Sequence, residues 1–275
     1  MAHGIWRTRN NADVVATPAT PPSQKSNPIR DLDNLASYLI KRHEQAIQQA
    51  EMTGRAIAGA LPFRWQTEFA YPHWNGWQQN QPDKAHEKNI LVVIPGKNRR
   101  EAVVLADHYD TAYMEDVFDP TRGGTGARQA ADGADDNYSA TAVLLQAAPH
   151  FLAMAREGQL ECDIWLLHLT GEEFPADCLG ARQFCREMVE GTLAIHPQMG
   201  SPQTGSPTPG QPMFGRPVSL AGTRLRGAIV MDMIAHNRER DRDVFQISPG
   251  ESAESMLVAK TALEAVQDWN TRARL

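Results

Sequence analysis

The chain has 275 residues, which is long enough for one large globular domain or for a domain with an extension. Its 41% hydrophobic and 22% charged residues are ordinary for a protein with a buried core. The net charge is −6 and the Lys and Arg residues are scattered, which argues against a nucleic-acid binder because such proteins carry a basic patch. The longest apolar runs are far shorter than the ~20 residues that cross a bilayer, so no membrane role is expected.

The N-terminus and the cysteines indicate the compartment. No apolar core of about 7–15 residues follows the basic N-terminus, so the pattern of a secretory signal is missing. Cys162, Cys178 and Cys185 form no CxxC pair, which is typical of reduced thiols rather than of a disulfide framework. These features predict a cytoplasmic protein.

The N-terminal part reads as a polar lead-in followed by one helix. Residues 1–29 include "ATPATPPSQKSNP", a Pro/Ser/Thr-rich tract that cannot bury much surface, and we predict them to be disordered. Residues 31–54 place apolar side chains near helical spacing, which predicts an amphipathic helix with Gly54 as its C-cap.

Apolar strands and helices alternate through the rest of the chain. "NILVVI", "PGKNRRE" and "AVVLADHYD" have the pattern of a β-hairpin whose strands are covered on both faces. A buried helix over 137–158, the strand "CDIWLLHLT" and a helix ending at Gly191 follow. Residues 197–222 are Pro/Gly/Ser-rich and are predicted to be a flexible surface insertion, before the strand "LRGAIVMDM" and a closing helix over 252–269.

This alternation favours an α/β fold, with a mixed, largely parallel central sheet between layers of helices in a three-layer α/β/α arrangement. In open α/β sheets, ligands bind beyond the carboxyl ends of the strands. Polar residues fall at such ends here: "HYD" (108–110), "GEE" (171–173) and Asp232 each follow a strand, and "GADDN" (133–137) opens a helix.

Four segments therefore bring an imidazole and several carboxylates to one rim of the predicted sheet. Taken alone, the adjacent Glu172 and Glu173 favour the simpler interpretation of a solvated turn. Together, so many acids would repel one another unless a cation neutralises them. A His with several carboxylates suits Zn²⁺ and, less specifically, Mn²⁺ or Co²⁺.

In order and spacing, "HYD", "GADDN", "GEE" with the trailing "LGAR.F", and "MDM" resemble the co-catalytic di-zinc aminopeptidases. That family includes bacterial leucyl aminopeptidase and aminopeptidase Y, with glutamate carboxypeptidase and glutaminyl cyclase as relatives. The resemblance runs from about residue 30 to the end and is densest over 89–234. It implies a zinc peptidase domain over 30–275 with a zinc exopeptidase-like fold.

The resemblance also implies a role for each matching residue. His108 and Asp232 would bind one zinc ion, Asp136 would bridge two ions, and Glu173 would bind the other. Asp135, beside Asp136, is expected to be a solvated loop acid.

Two further residues would serve the reaction rather than hold metal. Glu172 matches the general base, and Asp110 matches the acid that orients the imidazole of His108.

The family has one more zinc ligand, a histidine close to its C-terminus. No histidine follows His236 in this chain. We expect His236 to be a loop residue and His168, inside an apolar strand, to be a core histidine. The expectation is therefore that the chain is truncated or comes from an incomplete reading frame.

The implied activity is the removal of N-terminal residues from peptides. The alternatives are a related amide hydrolase, such as a carboxypeptidase or acylamino-acid deacylase, and a non-catalytic member that lacks the last ligand. Tyr109, Tyr113, Trp165 and Phe174 are candidates for a substrate pocket or, equally, for core and rim positions.

Overall fold

The computed structural model describes residues 28–64, 86–111, 113–115, 128–130, 133–173, 178–198, 215–235 and 246–273. The predicted lead-in over 1–29 lies outside these residues, except for residues 28 and 29, which begin the first helix. The elements of the described part are, in chain order, α1 (Pro28–Gln49), β1 (Ile57–Arg64), β2 (His86–Ile94), β3 (Asn98–His108), β4 (Tyr113–Glu115), β5 (Arg128–Ala130), α2 (Tyr138–Arg156), β6 (Cys162–Leu169), α3 (Leu179–Glu190), β7 (Ala194–Pro197), β8 (Val218–Ser219), β9 (Arg224–Val230) and α4 (Ala253–Ala273).

The chain divides into two compact units, residues 1–233 and 234–275. The second unit contains α4, which confirms the predicted closing helix. Ser252 caps this helix, because its Oγ accepts a hydrogen bond from the backbone N–H of Ser255 at 3.1 Å. In the part of the chain that the structure describes, no helix is both long and apolar enough to span a membrane.

The first unit is built on a seven-stranded sheet with the order β8-β7-β1-β2-β6-β3-β9. The predicted mixed α/β sheet is confirmed, but its parallel part is smaller than predicted. Only β6, β3 and β9 pair in parallel, and the other neighbours are antiparallel. A separate two-stranded ribbon joins β4 and β5.

The predicted hairpin between β2 and β3 is wrong, because β6 lies between them. The chain after β2 bonds to the residues before β6 instead of turning back, and the backbone N–H of Lys97 donates to the Leu160 carbonyl at 3.0 Å. Gly96 permits this approach, since a Cβ there would lie 2.2 Å from the Cys162 carbonyl oxygen. An apolar strand covered on both faces can pair with several others, so periodicity alone does not select its neighbour.

The predicted insertion over 197–222 stays a prediction. Residues 199–214 lie outside the described part, and β8, near the end of the predicted insertion, pairs with β7 at the edge of the sheet. The helix predicted to reach Gly54 ends at Gln49, and Gly54 occupies a later turn with φ +78°.

Helices cover both faces of the sheet, which confirms the three layers. Alternate residues of β2 serve opposite faces, as a strand requires. Val92 and Ile94 pack with Leu144 of α2 in one apolar cluster, and Leu91 and Val93, which alternate with them, belong to the cluster on the α3 face.

A cluster of three polar side chains is buried on the α1 side of the sheet. The His168 Nδ1 on β6 donates to the Asp107 carboxylate on β3 at 2.8 Å, and the His168 Nε2 lies 2.8 Å from the Nε2 of His43 on α1. All three side chains are almost fully buried. We call them the His43–His168–Asp107 network. The predicted core role of His168 fits this environment.

Burial of His43 makes the stability of the fold depend on pH. Burial, together with the neighbouring His168, lowers the pKa of His43 well below 6.5. The unfolded chain therefore binds a proton at pH values where the folded protein does not. This contribution to stability is complete above pH 6.5 and is lost as the pH falls below it, by at most about 1.4 kcal/mol per pH unit.

We predict that His43→Leu removes this part of the pH dependence. Urea unfolding at pH 7.5 and 5.5 gives the change in the free energy of unfolding for the wild type and for the variant. Comparing the two changes cancels the contributions of the titrating groups that both proteins share. His150→Gln, at an exposed position of α2, is the control and should lose as much stability on acidification as the wild type. Equal pH dependence in the wild type and His43→Leu would contradict the prediction.

Candidate metal centre

His108, the last residue of β3, lies at the centre of a group of carboxylates. Its Nε2 is 3.2 Å from Asp136 Oδ1, 3.5 Å from Asp232 Oδ1 and 3.9 Å from Glu172 Oε2. The imidazole is buried, and its Nε2 makes no hydrogen bond within the described part of the chain. The three carboxylates are partly exposed, so the imidazole forms the floor of a site that is open on the carboxylate side.

Asp110 connects the histidine to the two glutamates. Its carboxylate oxygens accept hydrogen bonds from the backbone N–H groups of Glu172 and Glu173, at 3.3 Å each. Its Oδ1 is also 3.6 Å from His108 Nδ1, which makes a closer contact of 3.1 Å with the Asp110 backbone carbonyl. Asp110, which is buried, therefore positions both the backbone of Glu172 and Glu173 and the imidazole of His108.

Hydrogen bonds join the two ends of the segment that carries Glu172 and Glu173. Asn89 accepts a hydrogen bond from the Thr170 backbone N–H at 3.1 Å and donates one to the Gly180 carbonyl at 2.9 Å. The backbone N–H of Gly180 also donates to the Thr170 carbonyl at 3.1 Å. The end of β6 and the start of α3 thus approach closely, and a Cβ at Gly180 would lie 2.2 Å from the Thr170 oxygen.

Asn137 performs the corresponding task for Asp232, and the sequence analysis missed it. It precedes α2 but makes no capping hydrogen bond with its side chain. Its Nδ2 donates to the Met231 carbonyl at 2.9 Å, and its Oδ1 accepts from the Met233 backbone N–H at 3.3 Å. The residues on both sides of Asp232 are therefore bonded to the neighbour of Asp136. The local pattern predicts only a helix cap for an Asn at this position.

The charges of this cluster change the proton affinity of its histidine. Burial disfavours the charged imidazole. The hydrogen bond and charge of Asp110, with the charges of Glu172 and Asp232, outweigh burial and raise the pKa of His108 to about 10.

The pKa values of the carboxylates also rise, but for them this means that the charged form is disfavoured. Burial, reinforced by the charges of Asp136 and Asp110, raises the pKa of Glu173 to about 8. Burial also raises the pKa of Glu172 and of Asp136. The site holds more negative charge than its surroundings tolerate, which is the condition that a bound cation relieves.

The donor groups fit a divalent cation. Two sets place one ligand atom per residue within 4.8 Å of one another: His108 with Glu172 and Glu173, and His108 with Asp136 and Asp232. Imidazole and carboxylate are the ligands that zinc and similar ions use. His108 belongs to both sets, and the distances alone do not distinguish Glu172 from Glu173 as a ligand.

The structure thus brings together every residue predicted for the site: His108, Asp110, Asp136, Glu172, Glu173 and Asp232. Their individual roles stay predictions. His236 lies outside the described residues. Of the candidate pocket aromatics, Tyr109 and Trp165 are buried in the core, while Phe174 and the side chain of Tyr113 lie outside the described part.

The layered α/β fold carries this imidazole–carboxylate cluster at the carboxyl ends of its parallel strands. Residues 89–272, more than half of the chain, match the sequence model of peptidase family M28. The chain belongs to this family. No curated protein sequence matches the chain.

Several solved structures are similar to the chain at low identity. The glutaminyl cyclase of Tannerella forsythia is 16% identical over 74% of this chain and 54% of its own, with a TM-score of 0.43. A leucine aminopeptidase precursor from Bacteroides thetaiotaomicron is 16% identical over 74% and 55%, with a TM-score of 0.43. The glutaminyl cyclase of Fimbriiglobus ruber is 14% identical over 75% and 55%, with a TM-score of 0.46. The chain spans about half the length of these structures.

We predict that Gly180→Ala weakens metal binding by displacing the Glu172–Glu173 segment, because the new Cβ would overlap the Thr170 carbonyl. Gly191→Ala, at the other end of α3, is the matched control. Its φ of +68° makes alanine costly by about 1 kcal/mol, but nothing lies within 4 Å of the new Cβ. Zinc competition against a chromophoric chelator should show a loss for Gly180→Ala only. A comparable loss in both variants would assign the effect to general destabilisation.

We predict that Asn137→Leu also lowers zinc affinity, because it releases the segment of Asp232 from the start of α2. A loss of about 10-fold or more is expected, as for other residues that position metal ligands. Ser139→Ala is the control, since its hydroxyl bonds locally to the Asp135 carbonyl at 2.7 Å. Zinc affinity of Asn137→Leu equal to that of Ser139→Ala would contradict the prediction.

Proposed function

We propose that the protein is a zinc-dependent peptidase that removes N-terminal residues from peptides. The observation that carries the proposal is the buried Nε2 of His108 facing Asp136, Asp232 and Glu172, within a chain of peptidase family M28. His108, Asp136, Asp232 and Glu173 would hold the metal. A divalent ion at this place supplies Lewis acidity, which polarises a carbonyl oxygen and makes water a stronger acid.

Glu172 acts as the general base in this proposal. Its carboxylate is half-exposed and 3.9 Å from His108 Nε2, so it borders the site while still reaching solvent. Burial raises its pKa, and a carboxylate of raised pKa is a better proton acceptor. Glu172 would take a proton from the attacking water and then deliver it to the leaving amine.

Asp110 supports both tasks without contacting the substrate. Its bonds to the N–H groups of Glu172 and Glu173 keep the two side chains on a fixed backbone. Adjacent glutamates can then have different roles, one as a base and one as a metal ligand, because the fixed backbone directs each side chain to its own place.

The paired variants Glu172→Gln and Glu173→Ala test this division. We expect Glu172→Gln to retain zinc and to lose about 10²- to 10⁴-fold in turnover, the usual contribution of a general base. Glu173→Ala should lose zinc. Elemental analysis and a chelator competition measure metal content directly. Glu161→Gln, an exposed acid outside the site, is the control for loss of charge. Equal zinc loss in both site variants would refute the assignment.

A substrate panel tests the proposed reaction separately. Peptides with a free N-terminus, N-acylated amino acids, peptides with a free C-terminus only and N-terminal glutaminyl peptides each report one reaction. Cleavage of the free N-terminal residue supports the proposal. Exclusive turnover of another substrate would establish a related amide-processing enzyme, and zinc binding without any turnover would indicate a non-catalytic protein.

A further inference from the structure

The His43–His168–Asp107 network joins two strands at the point where the metal-site residues leave them. Asp107 and His168 are direct register partners in the parallel pairing of β3 and β6. His108 is the next residue on β3, and Glu172 lies four residues beyond His168. A shift of one strand along the other would move His108 relative to Glu172, and the same shift would break the Asp107–His168 hydrogen bond.

The backbone pairing of β3 is irregular at the other end of the strand. The register of β3 with β6 shifts between Asn98 and Ala102, and its register with β9 shifts between Ala102 and Val103. Such irregularities disrupt the ladder locally and change the twist of the strand. From Ala102 to His108 the pairing of β3 with β6 is continuous, and the Asp107–His168 hydrogen bond adds a side-chain link near its end.

Stability alone does not account for a polar group at this place. His43 follows the buried apolar residues of α1, and His168 pairs across strands with the fully buried Ile90. Well-packed apolar side chains in such surroundings often stabilise a fold as much as a buried ionic pair. A buried carboxylate differs from such apolar side chains in one respect. A small displacement from its partner leaves it without a hydrogen bond, which is strongly disfavoured.

The three members also connect three elements. His43 extends the connection from the two strands to α1, where its Nε2 meets the Nε2 of His168 and the rings lie 5.1 Å apart. The constraint on the strand ends thus includes the helix that packs on this face of the sheet.

We propose that Asp107, His168 and His43 are positioning residues that fix His108 relative to Glu172 and Glu173. The network contacts neither metal nor substrate, and it acts by holding the ends of β3 and β6 in one alignment. The inference rests on the proposed metal-binding function, since its effect is on the geometry of that site.

Co²⁺ binding tests the proposal, because the visible spectrum of Co²⁺ reports ligand geometry as well as affinity. In the 275-residue chain, His168→Leu removes both hydrogen bonds of the network. His168→Asn keeps an amide that can donate to Asp107. We expect His168→Leu to bind Co²⁺ about 10-fold more weakly with an altered spectrum. His168→Asn should restore most of the affinity and the wild-type spectrum.

Val104→Ala is the matched control, because Val104 is a buried residue of β3 outside the network. It should lower the unfolding temperature and leave the Co²⁺ spectrum unchanged. A wild-type spectrum and affinity in His168→Leu would overturn the proposal, and so would losses that follow only the unfolding temperatures of all variants. If His168→Leu does not fold, Asp107→Asn decides, and unchanged Co²⁺ binding there would overturn the proposal.

The wild type separates this proposal from the proposed function. A wild-type chain that binds no Co²⁺ would overturn the metal-binding function, and the inference would fall with it. A wild type that binds Co²⁺, with network variants that bind equally well, would overturn the positioning role alone.

Discussion

The crowding of negative charge around one buried imidazole is the constraint on which the site depends. Asp136, Asp232 and Glu172 approach the Nε2 of His108 within 3.2–3.9 Å. This crowding raises the pKa values of His108 and Glu173, so both side chains hold a proton more tightly than usual. A fold maintains such a cluster only if the backbone holds the acids together against their repulsion, so the surrounding hydrogen bonds have a clear purpose.

The sheet topology fits this purpose. Parallel strands send their carboxyl ends to one edge, and the parallel pairing of this sheet is limited to β6, β3 and β9. His108 is the last residue of β3, and Glu172 and Asp232 follow β6 and β9. The antiparallel strands on the other side of β6 build the core but contribute no acid to the cluster. The mixed sheet therefore separates a part that forms the site from a part that supports it.

The sequence predicts the elements of this site better than their connections. The strand ends carry His108, Glu172 and Asp232 in a recognisable order, and chemistry predicts that so many acids near one histidine bind a cation. The neighbour of β3 was not predictable, because β2 and β6 are both apolar strands that fit beside it. Asn137 was missed for a related reason: its partners, Met231 and Met233, lie more than 90 residues away along the chain.

The residues that hold this site together share one property: they bond to the backbone of the segments that carry the acids. Asp110 bonds to the N–H groups of Glu172 and Glu173, and Asn137 bonds to the residues on both sides of Asp232. Hydrogen bonds to the backbone fix the main chain of each acidic residue. The side-chain carboxylate can still adjust its position to a ligand. A site of this kind can be rigid in its frame and still accommodate the change in charge that accompanies metal binding. No motif predicts this role for Asn137, because its partners are peptide groups that every residue possesses.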